Sequence, residues 1–126
     1  MTYLEKWFDY NHRQKEMEAL LEETIAQQSE QRLTLKEFYL LYYLDLADEK
    51  SLRQIDLPDK LHLSPSAVSR MVARLEEKNC GLLSRRCCDQ DRRASFICLT
   101  DEGQTTLAYL QKAVEERLET SLDFIS

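Results

Sequence analysis

Residues 64–75 read Ser64-Pro-Ser-Ala-Val-Ser-Arg-Met-Val-Ala-Arg-Leu75, and the other elements can be placed from this stretch in both directions. Serine before proline marks a helix start. The hydroxyl accepts from a free amide of the first turn, and proline suits the first helical position because its missing N–H is not needed there. At spacings of three and four, Ala67, Val68, Met71, Val72 and Leu75 make one apolar face. Ser66, Ser69, Arg70, Ala73 and Arg74 make the opposite one, short-chained and cationic, with no acid before Glu76. The spacing predicts a helix over 65–79 that buries one side and leaves a bare polar side, with Gly81 as its stop.

Downstream, residues 82–87 and 94–99 are rich in β-tolerant types and read as two short strands. They are joined by the polar loop Cys88-Asp-Gln-Asp-Arg-Arg93. Thr100-Asp-Glu then caps a last helix in which Leu107, Leu110, Val114, Leu118, Leu122 and Ile125 recur at three and four. Upstream, Ile55, Leu57, Leu61 and Leu63 imply a short helix near 55–61, with Pro58 in its first turn and Asp56 as cap. Asp48-Glu-Lys-Ser51 is a polar connector. Thr34-Leu-Lys-Glu37 is a capping box that opens a largely apolar helix reaching about Ala47. Residues 2–30 lack glycine and proline and carry Leu4, Trp7, Phe8, Met17, Leu20, Leu21, Thr24 and Ile25. They read as one long amphipathic helix, or a broken one, because Asn11 to Glu16 is polar all round.

The fold class expected is mainly α with a small β-hairpin: a winged helix-turn-helix over 34–100, flanked by helices at 1–33 and 101–126, all in one domain. The chain has 126 residues, enough for a single core. Its net charge is −6, which by itself argues against a polyanionic partner, yet the charge is uneven. Residues 60–93 hold eight Lys/Arg against four acids, a local +4 that leaves −10 for the remainder. A local patch, not the total, decides where a polyanion lands. The opening Met1-Thr-Tyr-Leu-Glu-Lys-Trp7 lacks the apolar core of a signal peptide, and the longest apolar run is the seven residues from Phe38 to Leu44. A bilayer span needs about 20. A cytoplasmic protein with no membrane partner is therefore expected, with its cysteines reduced.

A helix enters the major groove only if its outer face is small enough for close approach. Ser66, Ser69 and Ala73 meet that condition, and Arg70 and Arg74 can reach base edges or phosphates. Taken singly, those two arginines fit a solvated helix face; the capped helix and adjoining hairpin together favour double-stranded DNA. The amides near Ser64 to Ser66 suit a phosphate. Arg92 or Arg93 at the wing tip suits the minor groove. Arg85 and Arg86 alternate across a strand, so one faces phosphate. Lys60 is a generic phosphate candidate, and Lys78 fits a helix end.

The stretch Asp91-Arg-Arg93, five residues, then Leu99-Thr-Asp-Glu-Gly103 resembles the D-x-R-x5-L-T-x-x-G signature of the MarR family. Leu63 to Arg70, Leu75-Glu-Glu-Lys78 and Gly81-Leu-Leu-Ser-Arg85 look like its recognition helix and first wing strand. The resemblance implies a homodimeric bacterial regulator, commonly a repressor, on a pseudo-palindromic operator. It further implies that the outer helices dimerise and that small ligands relieve repression. It makes Asp91–Arg93 a structural pair of the wing and leaves Arg92 to the DNA.

Other readings compete. Cys80, Cys87 and Cys88 invite a thiol-based redox or metal sensor, and the arginines near Cys80 favour a thiolate. Cys98 alternates with Phe96 and reads as a core residue. There is no C-x-x-C, and His12 and His62 lie far apart, so neither metal nor cofactor is expected. Trp7, Phe8, Tyr39, Tyr42 and Tyr43 fit an aromatic effector pocket and fit plain packing equally well. An interaction module that has lost DNA binding is a further alternative. No phosphate loop, nucleophile elbow or Cys–His arrangement supports an enzyme, and no catalytic residue is assigned.

Overall fold

A computed structural model describes residues 1–76, 80–88 and 91–121, with the backbone alone for 86–88 and 91–94. The element order is α1 (Tyr3–Gln28), α2 (Leu35–Leu46), β1 (Ser51–Arg53), α3 (Leu57–Leu61), α4 (Pro65–Leu75), β2 (Leu83–Cys88), β3 (Asp91–Leu99) and α5 (Asp101–Glu119). The chain forms two compact units, residues 1–35 with 110–126 and residues 36–109. Helix α5 contributes to both.

In the first unit, α1 is one uninterrupted helix. Thr2 and Glu5 form a reciprocal capping box at its start. The polar middle stays helical, with Asp9 and Arg13 as an exposed ion pair one turn apart and His12 Nε2 2.8 Å from Glu16 Oε1 adding modest support along the helix surface. Its C-terminal half buries Leu21, Thr24 and Ile25, while Leu33, Leu110 and Val114 are buried elsewhere in the unit. Arg117 Nε donates to Thr24 Oγ1 at 3.3 Å, and Glu22 Oε1 accepts from the Leu35 amide at 2.9 Å. The N-terminal half instead exposes Tyr3, Leu4, Trp7, Phe8 and Tyr10.

The second unit is the helix-turn-helix with its sheet. The apolar faces read from the sequence supply its interior: Phe38, Leu40, Leu41 and Leu44 from α2, Leu57 and Leu61 from α3, Val68, Val72 and Leu75 from α4 are all buried. Leu82, Leu83, Ile97, Leu99 and Leu107 complete it. The expected hairpin is part of a three-stranded antiparallel sheet in the order β1-β3-β2. Strand β1, which starts at the last residue of the expected connector and runs past it, pairs Leu52 with Ile97 and Arg53 with Phe96. Across β2 the register runs from Leu83–Leu99 to Arg86–Phe96, with an irregularity between Cys87 and Cys88.

Three expectations are corrected. Helix α4 stops at Leu75, not 79, because Glu76 is extended (φ −62°, ψ 163°); Gly81 acts later, with φ +75° and its amide on the Glu76 carbonyl at 3.0 Å. Asp56 occupies the cap position of α3 without a side-chain cap bond. Ile55, expected in the apolar set, is 65 % exposed because it lies in the 3-10 turn Gln54–Asp56 that precedes α3.

Candidate nucleic-acid interface

Helix α4 starts as its sequence requires. Ser64 Oγ accepts from the Ala67 amide at 3.1 Å, and Pro65 takes the first helical position. At 100° per residue, Ser69, Ala73, Ser66, Arg70 and Arg74 follow one another across an arc of about 140°. All five are exposed, whereas Val68, Val72 and Leu75 on the other side are buried. The surface singled out in the sequence is therefore on the outside of the lobe.

Both edges of that arc are tethered. At one, Gln54 Nε2 donates to Ser69 Oγ at 3.3 Å. The same Gln54 offers Oε1 to Arg85 Nη1 at 2.9 Å, and Arg85 Nε pairs with Glu76. Arg85, a DNA-contact candidate as one of the two strand arginines offered to phosphate, is thus engaged in joining β2 to the end of α4 and to the turn before α3. At the other edge, Arg74 Nη1 lies 2.6 Å from Glu37 Oε2 on α2. The Glu37 side chain is only 4 % exposed, against 41 % for Arg74. Arg74, expected at base edges or phosphates, has its head group directed to a buried carboxylate. Between the tethers, Arg70 makes no hydrogen bond or ion pair among the described residues.

Sequence reasoning missed Glu37 and Gln54. The sequence reads Glu37 only as part of a capping box; its signal is an acid in the first turn of a helix with almost no polar face. Gln54 carries no such signal, since its role depends on three elements meeting. Lys60, on α3, holds its Nζ 5.5 Å from the centre of the Tyr43 ring. The side chains of Asp91, Arg92 and Arg93, and so the wing pair and the minor-groove arginine, lie outside the described residues. So do Arg86, Cys87, Cys88 and Lys78. Cys80 is half-buried and Cys98 is buried. Trp7 and Phe8 are exposed on α1, Tyr42 is exposed on α2, and Tyr39 and Tyr43 are half-buried.

The base of the wing is stitched to α5. Thr100 Oγ1 donates to the Gly81 carbonyl at 2.7 Å and accepts from the Gly103 amide at 2.9 Å. The Thr100 amide donates to the Leu82 carbonyl at 3.1 Å. A Cβ at Gly103 would overlap that same carbonyl oxygen. The Leu99-Thr100-x-x-Gly103 pattern thus has a steric cause: threonine caps the helix, and glycine lets its first turn lie on the backbone at Leu82.

The sequence model of the MarR family matches residues 33–95, half of the chain, from the start of α2 into β3. This chain belongs to the MarR family. The HTH-type transcriptional regulator YdgJ of Bacillus subtilis (strain 168) is 36 % identical over 98 residues, 78 % of this chain and 54 % of its own length. The HTH-type transcriptional repressor MdtR of the same organism is 33 % identical over 81 residues, 64 % of this chain and 50 % of its own length. The chain thus spans about half the length of the curated relatives it matches. Among solved structures, AbsC, a MarR family transcriptional regulator from Streptomyces coelicolor, has a TM-score of 0.83 at 23 % identity, covering 95 % of this chain and 79 % of that one. A second MarR family regulator from that organism, solved in complex with DNA, has a TM-score of 0.76 at 26 % identity, covering 99 % and 85 %. The exposed face of α4 is therefore the outer face of the second helix in a MarR helix-turn-helix. No helix among the described residues is long and apolar enough to cross a membrane.

Proposed function

We propose that the chain is a sequence-specific, double-stranded-DNA-binding transcription repressor that works as a cytoplasmic homodimer on a pseudo-palindromic operator. The observation that carries this is the α4 face: short side chains at Ser66, Ser69 and Ala73 beside Arg70, which makes no hydrogen bond or ion pair among the described residues, on a helix held at both edges. Short chains let the helix sink into the major groove, and an arginine held in place there reads guanine through two parallel hydrogen bonds. The capped amino end near Ser64 and Ser66 approaches a phosphate. Arg92 and Arg93 serve the wing as the family resemblance implies, Arg93 with Asp91 and Arg92 toward the minor groove. Arg74 and Arg85 support the surface and do not read it.

A relative named a repressor and a structural neighbour solved on DNA support the reading. The exposed Leu4, Trp7 and Phe8 on α1 supply an apolar stripe for a second copy, and a two-fold pair would set half-sites about 10 base pairs apart. A small effector would act by binding the DNA-incompetent arrangement more tightly, since equal affinity shifts nothing. Selection of bound duplexes from a random pool, followed by gel shifts over a salt series, tests the function. The expected result is a palindromic consensus, affinity falling steeply with salt, and an Arg70→Ala variant whose preference for the consensus drops about ten-fold. No salt-sensitive binding to any duplex would defeat the reading and favour a protein-interaction module.

A further inference from the structure

We propose that Glu37, buried on α2, is a positioning residue for DNA discrimination: through Arg74 it fixes the roll of the reading helix and keeps that arginine from acting as a plain phosphate contact. This rests on the DNA-binding reading above. A carboxylate with 4 % exposure is costly unless paired, and its partner at 2.6 Å is Arg74 Nη1, from the solvent edge of the α4 face. The pair ties α2 to α4 with a charge-assisted hydrogen bond and is electrically neutral. The opposite edge is held by Gln54 on Ser69.

The two tethers stand about 140° apart around the helix axis, and Arg70 lies between them, about 40° from Arg74. A roll of about 10° moves groups at a radius of about 6 Å by about 1 Å. That displacement breaks a two-bond contact to a base edge but barely alters the distance from a cation to a phosphate. Losing the Glu37 tether therefore costs discrimination before it costs affinity. It also takes the Glu37 carboxylate away from the Arg74 guanidinium, whose charge then adds sequence-blind attraction at the groove.

The test measures Kd on the selected duplex and on a random duplex across a salt series, for the full chain and three variants checked by circular dichroism. Glu37→Gln is expected to bind random duplex more tightly, to steepen the salt slope by about 0.9 per protomer, and to lose about five-fold or more in the specific-to-random ratio. Arg74→Gln is expected to lose the ratio while keeping the wild-type slope. The double variant E37Q/R74Q removes both charges of the pair, so it folds even if a single variant is impaired, and it should behave as Arg74→Gln does. An Arg74→Gln slope shallower by about 0.9 with the ratio intact would make Arg74 an ordinary phosphate contact and overturn the proposal. Unchanged ratios in Arg74→Gln and the double variant would overturn it as well. Absence of wild-type duplex binding sinks the functional reading and this one together; wild-type binding with unaltered variants sinks this one alone.

Discussion

Gly103→Ala is the sharpest probe of how the lobe is joined to its last helix, because two effects of opposite sign compete there. In an open helix the change stabilises by about 1 kcal/mol, since alanine loses less backbone freedom than glycine. Here the new methyl meets the Leu82 carbonyl oxygen and Leu99 Cδ1, with the Leu82 carbonyl carbon at 3.2 Å. Two of those atoms are backbone and cannot swing aside, so the first turn of α5 must lift. Overpacking of this kind costs about 1–3 kcal/mol. Lifting also strains the bond from the Thr100 amide to Leu82 O at 3.1 Å, worth about 1 kcal/mol. The net expectation is a destabilisation of about 2 kcal/mol, which lowers a urea midpoint by about 1 M. Urea unfolding at one fixed protein concentration reads this directly, since self-association would otherwise shift the midpoint. Gly81→Ala is the internal comparison. Its φ of +75° is unfavourable for alanine, but the nearest obstacle is the mobile end of Glu102, at 2.9 Å. It should cost about 1 kcal/mol, less than Gly103→Ala. A Gly103→Ala protein as stable as wild type, or more so, would refute the account of this junction.

Ser64→Ala removes the cap on the Ala67 amide and should lower stability by about 1 kcal/mol in the same assay, while Ser64→Gly costs only a few tenths. Leu57→Ala, in the buried start of α3, should cost about 2–5 kcal/mol, whereas Ile55→Ala two residues earlier should stay within about 0.5 kcal/mol; equal effects would contradict the exposed placement of Ile55. Replacing Trp7 and Phe8 together by alanine should weaken self-association about ten-fold or more in sedimentation equilibrium, with helix content retained. A dimer indifferent to that change would move the interface away from the exposed α1 stripe.

What the sequence determined by itself is what short-range rules control. Ser64-Pro65 announces a helix start through a hydroxyl cap and a fixed φ, and apolar residues at three and four assign the buried and exposed sides of α4 without knowledge of what covers them. Thr100 announces the last helix by the same cap chemistry, and the wing strands show in their side-chain types. What escaped it depends on contacts between distant residues. Strand β1 has only three residues, too few to display alternation, and exists because the edge of β3 is there to accept it. The end of α4 moved from 79 to Leu75 because the Leu75 and Glu76 carbonyls are taken by the Leu82 and Gly81 amides. Arg74 and Arg85 carry the same charge as Arg70 and look equivalent in one dimension. Only the folded chain sets Glu37, Gln54 and Glu76 beside them, and a guanidinium within reach of a carboxylate is directed to that partner. Periodicity says which side of a helix faces out; proximity across the fold says which of its charges remain available.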